Sequence, residues 1–137
     1  MTFSQDMPED EILDRARSIK QLIRSQQDEA EQRGHYTPEV HARMLELGLY
    51  HLLTPRRYGG LEVSLKTWLR TVIEISSADP GTGWCYCLGH SHNIQAAALW
   101  PESVQQTVFS DPLGYFRASH SLAPAGTARP VDGGYRL

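Results

Sequence analysis

Apolar residues recur at helical spacing along the first two thirds of the chain. Within residues 9–33, Ile12, Ile19 and Ile23 fall on one face of a helix, and Gly34 follows as a stop signal. The charged residues of the same stretch fall mostly on the opposite face. This pattern predicts one long amphipathic helix.

Two further helices are marked by their starting residues. Thr37 can cap a helix whose first position is Pro38, and Gly48 ends that helix. The short apolar segment 49–54 is predicted to be extended, and a third helix is predicted to begin near Ser64. Its apolar stripe, which we expect to face the core, consists of Leu65, Trp68, Leu69, Val72 and Ile73.

Between Asp79 and Glu102 the chain carries no Asp, Glu, Lys or Arg, yet it keeps cysteine, histidine and asparagine side chains. A membrane span needs about 20 predominantly apolar residues, so this stretch is too polar to be one. It predicts a central helix over 82–99 that is buried on most sides and aims a few polar groups at a cavity or ligand. Trp84 within it is predicted to anchor the core, as is Trp68 in the preceding helix.

The pattern changes after a last short helix that ends at residue 109. Residues 115–121 alternate as a strand would, and Asp132 begins a tight turn between two short strands. Helices followed by strands predict a helical domain at 1–112 and the start of a β domain at 113–137. A lone hairpin leaves its backbone groups unpaired, so we expect the sequence to be the N-terminal part of a longer protein.

Composition excludes several classes of protein. The 137 residues are 40% hydrophobic with a formal net charge of −3, so a core is expected and the basic stripe of a nucleic-acid binder is absent. The acidic N-terminus has no apolar signal-peptide core. Two cysteines in a C-x-C arrangement suit a reducing compartment. These features predict a cytoplasmic protein without a membrane or nucleic-acid partner.

Four residues of metal-binding type lie close together in the charge-free helix. At about 100° per residue, Cys85 and His92 share one face, whereas Cys87 and His90 share another that points roughly the opposite way. One tetrahedral ion cannot collect all four, so no metal site is expected. His92 with Cys85, beside Ser91 or Gln95, either lines a ligand pocket or is an ordinary core histidine.

The order of the motifs resembles the N-terminal helical domain of the acyl-CoA dehydrogenase superfamily. Residues 78–84, followed by Gly89 and His92, are similar to its flavin-dependent aromatic monooxygenase branch, the oxygenase components of two-component hydroxylases. The end of the chain, 122–137, resembles the start of the family's central β domain. The earlier segments that carry the resemblance are residues 38–40, 48–49 and 55–62.

The resemblance implies a mainly α fold class: the N-terminal helical domain of the acyl-CoA dehydrogenase fold, followed by the first strands of a truncated β-barrel middle domain. In relatives a C-terminal helical bundle completes the fold, the flavin lies between that bundle and the β domain, and the protein assembles as a homotetramer. The implied cofactor is a flavin, FMN or FAD, which a separate reductase component supplies in its reduced form. The implied substrates are oxygen and a small aromatic molecule.

The resemblance also implies site residues. His92 would be the catalytic residue, accepting the proton or hydrogen bond of a phenol, and would contact the substrate together with Trp84 and Ser119. Dehydrogenases have a hydroxyl residue at the position of Leu122 and an acid at that of Ala123, so these two positions favour the monooxygenase branch. The residues implied to contact the flavin are Ser119, Ser121, Leu122 and Thr127.

An apolar wall formed by Trp84, Leu88 and Ile94 is expected to keep water from the reaction. Two alternatives to the monooxygenase stay open. One is an acyl-CoA dehydrogenase that holds FAD. The other is an isolated fragment without catalysis that serves as a helical packing or oligomerisation module.

Overall fold

In the computed structural model, the residues described are 6–110, 116–117 and 126–136. They form a mainly helical structure with two short strands at the end, which confirms the predicted fold class. The helices are α1 (Glu9–Ser18), α2 (Lys20–Ser25), α3 (Gln27–Arg33), α4 (Pro38–Glu46), α5 (Leu65–Ser76), α6 (Pro80–Leu99) and α7 (Glu102–Phe109), and the strands are β1 (Arg129–Val131) and β2 (Gly134–Arg136).

The first helical region is divided into α1, α2 and α3, whereas the sequence predicts one continuous helix. A serine ends each of the first two helices. Ser18 Oγ donates to the carbonyl of Arg15 at 2.7 Å, and Ser25 Oγ donates to that of Leu22 at 2.8 Å. Such side-chain bonds to the preceding turn compete with the helical ladder and interrupt it. The predicted apolar face, including Ile12, is buried nonetheless.

The segment 49–54 after α4, which is predicted to be extended, instead begins with a tight turn, and a second tight turn follows it at Arg56–Tyr58. Leu49–His51 and Arg56–Tyr58 are 3-10 helices, and each is flanked by a glycine with a left-handed backbone, at φ 73° for Gly48 and φ 84° for Gly59. Glycine adopts this conformation without a steric penalty. The chain therefore reverses within a few residues and stays close to α6.

Helix α5 begins as predicted, with the Ser64 hydroxyl accepting from the backbone N–H of Thr67 at 3.1 Å. Its buried face is not the predicted one. Trp68 is buried as expected, but it is accompanied by Thr67, Thr71 and Ile75. The reason is that α5 lies against both α1 and α6, and Thr67 donates to the Glu9 carboxylate of α1 at 2.6 Å. The exposed members of the predicted stripe are Leu65, Leu69 and Ile73.

Helix α6 also differs from the prediction that it is buried on most sides. Asp79 caps its first turn by accepting from the N–H of Thr82 at 2.6 Å. Its inward face carries polar side chains, and one side of the helix is exposed in the described part of the chain. Trp84 is 66% exposed, so the expectation that it anchors the core is wrong. The other exposed apolar residues of α6 are Leu88, Ile94 and Leu99.

The predicted hairpin is present at the end of the described chain. Strands β1 and β2 pair antiparallel with Val131 opposite Gly134, and Gly133 turns the chain at φ 79°. All residues of the hairpin are exposed. Most of the predicted strand 115–121 lies outside the described residues. No helix in the described ranges is long and apolar enough to cross a membrane.

Candidate functional site

The inward face of α6 is a polar stripe that holds the turns after α4. Tyr86, His90 and Asn93 recur at helical spacing and are all buried. Each contributes a hydrogen bond to the segment that follows Gly48. The bonds run from the Tyr86 hydroxyl to the Leu49 carbonyl (2.7 Å), from the Leu53 N–H to His90 Nε2 (3.4 Å) and from Asn93 Nδ2 to Thr54 Oγ1 (3.3 Å).

His90 is a structural histidine. Burial, together with the charges of His51 and Arg117, lowers its pKa to about 3, although a hydrogen bond with the backbone of Tyr50 acts in the opposite direction. The ring is therefore neutral at pH 7, which leaves Nε2 free to accept the Leu53 N–H. This role removes His90 from the candidates for proton transfer to a ligand.

His92 lies on the flank of α6, between the buried and exposed sides. His92 is 7% exposed. Because it is two positions from His90, it lies on a different face of α6 from the polar stripe. Gly89 and Cys85 lie on the same flank, and a Cβ at Gly89 would be 3.7 Å from the Cδ of Arg117. The side chain of Arg117 therefore passes beside this flank of the helix.

Two adjoining clefts open beside this flank, with volumes of about 480 Å³ and 420 Å³. They share His35, Tyr36 and Cys85 as lining residues, and neither is lined by His92. The larger cleft is acidic and the smaller is basic. The acidic residues of the larger cleft are Asp28, Glu31 and Asp79, the smaller cleft carries His41 and Arg117, and His35 lines both.

A chain of hydrogen bonds lies at the wall of the smaller cleft. Arg117 Nη1 donates to the Tyr36 hydroxyl at 2.6 Å, and that hydroxyl lies 2.8 Å from the Tyr50 hydroxyl. The Tyr50 hydroxyl lies 2.9 Å from His41 Nδ1. The guanidinium carbon of Arg117 also lies 5.2 Å from the centre of the Tyr50 ring, within the range of a cation–π contact.

Electrostatics keep this network in one protonation state. Burial raises the pKa of Tyr50, which is 1% exposed, and the neighbouring Tyr36 hydroxyl raises it further. Burial lowers the pKa of His41, and the charge of Arg117 lowers it again. Both groups are therefore neutral at pH 7. Within this network Arg117 donates to the Tyr36 hydroxyl, and the Tyr36 hydroxyl can then donate to Tyr50 and the Tyr50 hydroxyl to His41.

The residues implied to contact a flavin are mostly not among those described. Ser119, Ser121 and Leu122 lie outside the described ranges. Thr127 is described and exposed, in a segment without regular structure that leads into β1. Among the described residues, no group of three or more His, Cys, Asp or Glu side chains is arranged to hold a metal ion.

Sequence reasoning missed the network of Tyr36, His41, Tyr50 and Arg117. Its members come from the α3–α4 connection, α4, a 3-10 turn and the segment after α7. No spacing rule joins four residues of separate elements. The only signal was the placement of Tyr36 and Tyr50 beside the two ends of α4, which by itself predicts nothing about their hydroxyl groups.

The family described as "Acyl-CoA dehydrogenase, N-terminal domain" matches residues 8–107, which include helices α1 to α6 and most of α7. The chain belongs to this family. The match confirms the resemblance inferred from the order of the motifs. It ends before residues 116–117 and the hairpin, so it concerns the helical part alone.

Three relatives of this member of the acyl-CoA dehydrogenase family are named as hydroxylases, one of them as FADH(2)-dependent. The oxygenase component of p-hydroxyphenylacetate 3-hydroxylase from Acinetobacter baumannii is 32% identical over 92% of this chain and 29% of its own length. A pigment production hydroxylase of Rhodococcus sp. (strain ATCC 21145) is 29% identical over 96% of this chain and 34% of its own. The oxygenase component of an FADH(2)-dependent resorcinol hydroxylase from Rhizobium sp. (strain MTP-10005) is 28% identical over 98% of this chain and 32% of its own length.

The chain thus spans about a third of the length of these relatives.

Proposed function

We propose that this chain is the N-terminal part of a flavin-dependent monooxygenase that hydroxylates an aromatic or phenolic substrate. The observation that carries the proposal is the set of relatives named as hydroxylases, which align with more than nine tenths of the chain. In this proposal, residues 1–112 form the helical domain and 113–137 begin the middle β domain. The protein is a cytoplasmic homotetramer in its full-length form, and a reductase component supplies reduced FMN or FAD.

The donor chemistry of the candidate cofactor segment fits a flavin. Ser119, Ser121 and Thr127 offer hydroxyl groups, which can donate to ring carbonyls, ring nitrogens or phosphate oxygens. Thr127 is exposed, so its hydroxyl has room for such a partner. Leu122 would add an apolar contact to the ring system. A bound flavin would supply the oxygen-activating chemistry, and these residues would hold it in place.

His92 is proposed as the catalytic residue toward the substrate, with Trp84 and Ser119 as further substrate contacts. Its burial supports this role, because an imidazole shielded from bulk water can accept a phenol's proton without competition from solvent. The absence of ionised residues along α6 keeps competing charges on that helix away from the ring. Removing the phenol's proton raises the electron density of the aromatic ring, which favours attack on an electrophilic oxygen.

The expected apolar wall needs a correction. Trp84, Leu88 and Ile94 are exposed in the described part of the chain, so these three side chains do not enclose a dry chamber by themselves. Exclusion of water by this face requires another surface to cover it. The proposal therefore assigns the wall to these residues together with a further part of the protein.

The test is a His92→Ala variant of the full-length protein, supplied with reduced flavin, oxygen and a phenolic substrate. Loss of a general base lowers turnover by about 10²–10⁴-fold, whereas the dissociation constant for flavin should change little. Thr107→Ala is the control, since Thr107 is an exposed residue of α7 whose hydroxyl donates to the Ser103 carbonyl at 3.0 Å. Unchanged turnover in His92→Ala would remove His92 from the mechanism.

A second candidate function is acyl-CoA dehydrogenation with bound FAD, favoured by the description of the matching family. The two are separated by anaerobic addition of a CoA thioester to the oxidised flavoprotein. Bleaching of the flavin would support the dehydrogenase. If the full-length protein neither retains flavin nor binds it on titration, the remaining hypothesis is the module without catalysis that serves in helical packing or oligomerisation.

A further inference from the structure

Two tyrosines of this structure are equally buried but differ in what accepts their hydroxyl proton. Tyr50 and Tyr86 are each 1% exposed, and their rings lie 6.0 Å apart, centre to centre. The Tyr86 hydroxyl donates to the backbone carbonyl of Leu49 at 2.7 Å, whereas the Tyr50 hydroxyl lies 2.9 Å from Nδ1 of His41. A carbonyl oxygen accepts a hydrogen bond but does not take up the proton, and a neutral imidazole can do both.

This difference matters when a phenol loses an electron. An oxidised phenol is a much stronger acid than a neutral one, so the electron leaves more easily when a base beside the hydroxyl takes the proton in the same step. Burial raises the pKa of Tyr50, so its hydroxyl does not ionise beforehand. Burial and the charge of Arg117 lower the pKa of His41, so its ring is neutral at pH 7. Of the two buried tyrosines, Tyr50 is therefore the one with a base ready to receive its proton.

Tyr36 connects this buried pair to the surface. Its hydroxyl lies 2.8 Å from that of Tyr50, and Tyr36 lines both clefts beside α6. The Arg117 guanidinium donates to the same hydroxyl at 2.6 Å and holds it in place. An electron can therefore pass between Tyr50 and a molecule in the clefts by way of a single intervening side chain.

We propose that Tyr50 and His41 form a redox-active pair, which reduces one-electron oxidants that reach the clefts lined by Tyr36. The oxidant gains one electron from Tyr50, and the hydroxyl proton moves from Tyr50 Oη to His41 Nδ1, which leaves a neutral tyrosyl radical and an imidazolium. A small thiolate then returns an electron by the same route and becomes a thiyl radical, while the proton goes back from His41 to Tyr50. The reaction needs no flavin and is separate from the proposed hydroxylation.

The experiment oxidises the protein with a ruthenium(III) tris-bipyridyl complex, generated by a laser flash, and follows tyrosyl radicals by absorption and electron paramagnetic resonance. The wild type should form a slowly decaying radical, because a buried ring is shielded from other radicals. Tyr50→Phe should abolish this slow component. His41→Gln keeps a hydrogen-bond acceptor but loses the base, and should slow the formation of the radical about 10²-fold.

Two tyrosine variants serve as controls. Tyr86→Phe removes an equally buried hydroxyl, Tyr135→Phe removes one from a residue that is 71% exposed, and neither should change the slow component. If Tyr50→Phe does not fold, His41→Gln decides the matter, because His41 is only half-buried. The inference would be overturned by a wild type without the slow component, by a folded Tyr50→Phe or His41→Gln variant that forms it at the wild-type rate, or by its loss in Tyr86→Phe.

Discussion

Helix α5 lies very close to α6 at Gly83, and this contact yields a prediction about stability. A Cβ on Gly83 would lie 2.0 Å from the Oγ of Ser76 and 2.7 Å from both its Cα and its Cβ. Rotation of the serine can relieve the first contact but not the other two, which involve the backbone and the first side-chain atom. Gly83→Ala therefore requires the two helices to move apart.

The size of the effect follows from two opposing terms. Overpacking a tight contact costs about 1–3 kcal/mol, whereas replacing glycine by alanine inside a helix gains about 0.8–1.0 kcal/mol. Because the backbone contact cannot be relieved locally, we take the upper part of the first range. The expected net destabilisation is about 2 kcal/mol.

Gly89 supplies the matched control in the same helix. A Cβ there would lie 3.7 Å from the nearest atom, Cδ of Arg117, which is an ordinary contact. Gly89→Ala should therefore stabilise the protein by about 0.5–1 kcal/mol through helix propensity alone. Urea denaturation followed by tryptophan fluorescence measures both variants, and the difference between them should be about 3 kcal/mol.

The double variant Gly83→Ala with Ser76→Ala tests the cause. It removes the contact at 2.0 Å but leaves both contacts at 2.7 Å, so it should restore only part of the lost stability. Equal unfolding midpoints for Gly83→Ala and Gly89→Ala would refute the reasoning.

Two further predictions concern the inward face of α6. Tyr86→Phe removes the 2.7 Å hydrogen bond to the Leu49 carbonyl and should cost about 1–2 kcal/mol of unfolding free energy in urea, while Tyr135→Phe in the exposed hairpin should change it by less than about 0.5 kcal/mol. His90 has a folded-state pKa of about 3, below its unfolded value of 6.5, so the unfolded state alone binds this proton between those pH values and stability falls as the pH drops from 6.5. His90→Gln should lower the slope of unfolding free energy between pH 5 and pH 6 by about 1 kcal/mol per pH unit, and a slope equal to that of the wild type would contradict the assigned pKa.

The sequence predicted the helix starts well because they depend on neighbouring residues alone. Thr37 and Ser64 each accept a hydrogen bond from a backbone N–H three positions later, which is a contact within one turn. Helix α6 begins at Pro80, two positions before the predicted start. The hairpin at Gly133 is equally local. The order of short motifs also pointed to the acyl-CoA dehydrogenase family, which the match to residues 8–107 bears out.

Which face of a helix is buried was decided by the tertiary structure. The stripe of Leu65, Leu69 and Ile73 is apolar and regularly spaced, yet Ile73 is 65% exposed, because α1 and α6 cover the threonine-containing side of α5. Helix α6 likewise buries a polar residue, Asn93, and exposes an apolar one, Trp84. Hydrogen bonds to distant backbone groups compensate polar burial, and periodicity cannot predict such partners.

The sequence alone therefore determined where α4 and α5 begin and which family the chain belongs to, since both depend on residues that are close together in the sequence. Only the tertiary structure decided that Arg117 meets Tyr36 across 81 residues of chain. The physical reason is range: caps and turns act within about four residues, whereas a network of buried hydroxyl groups exists only after separate elements have packed together.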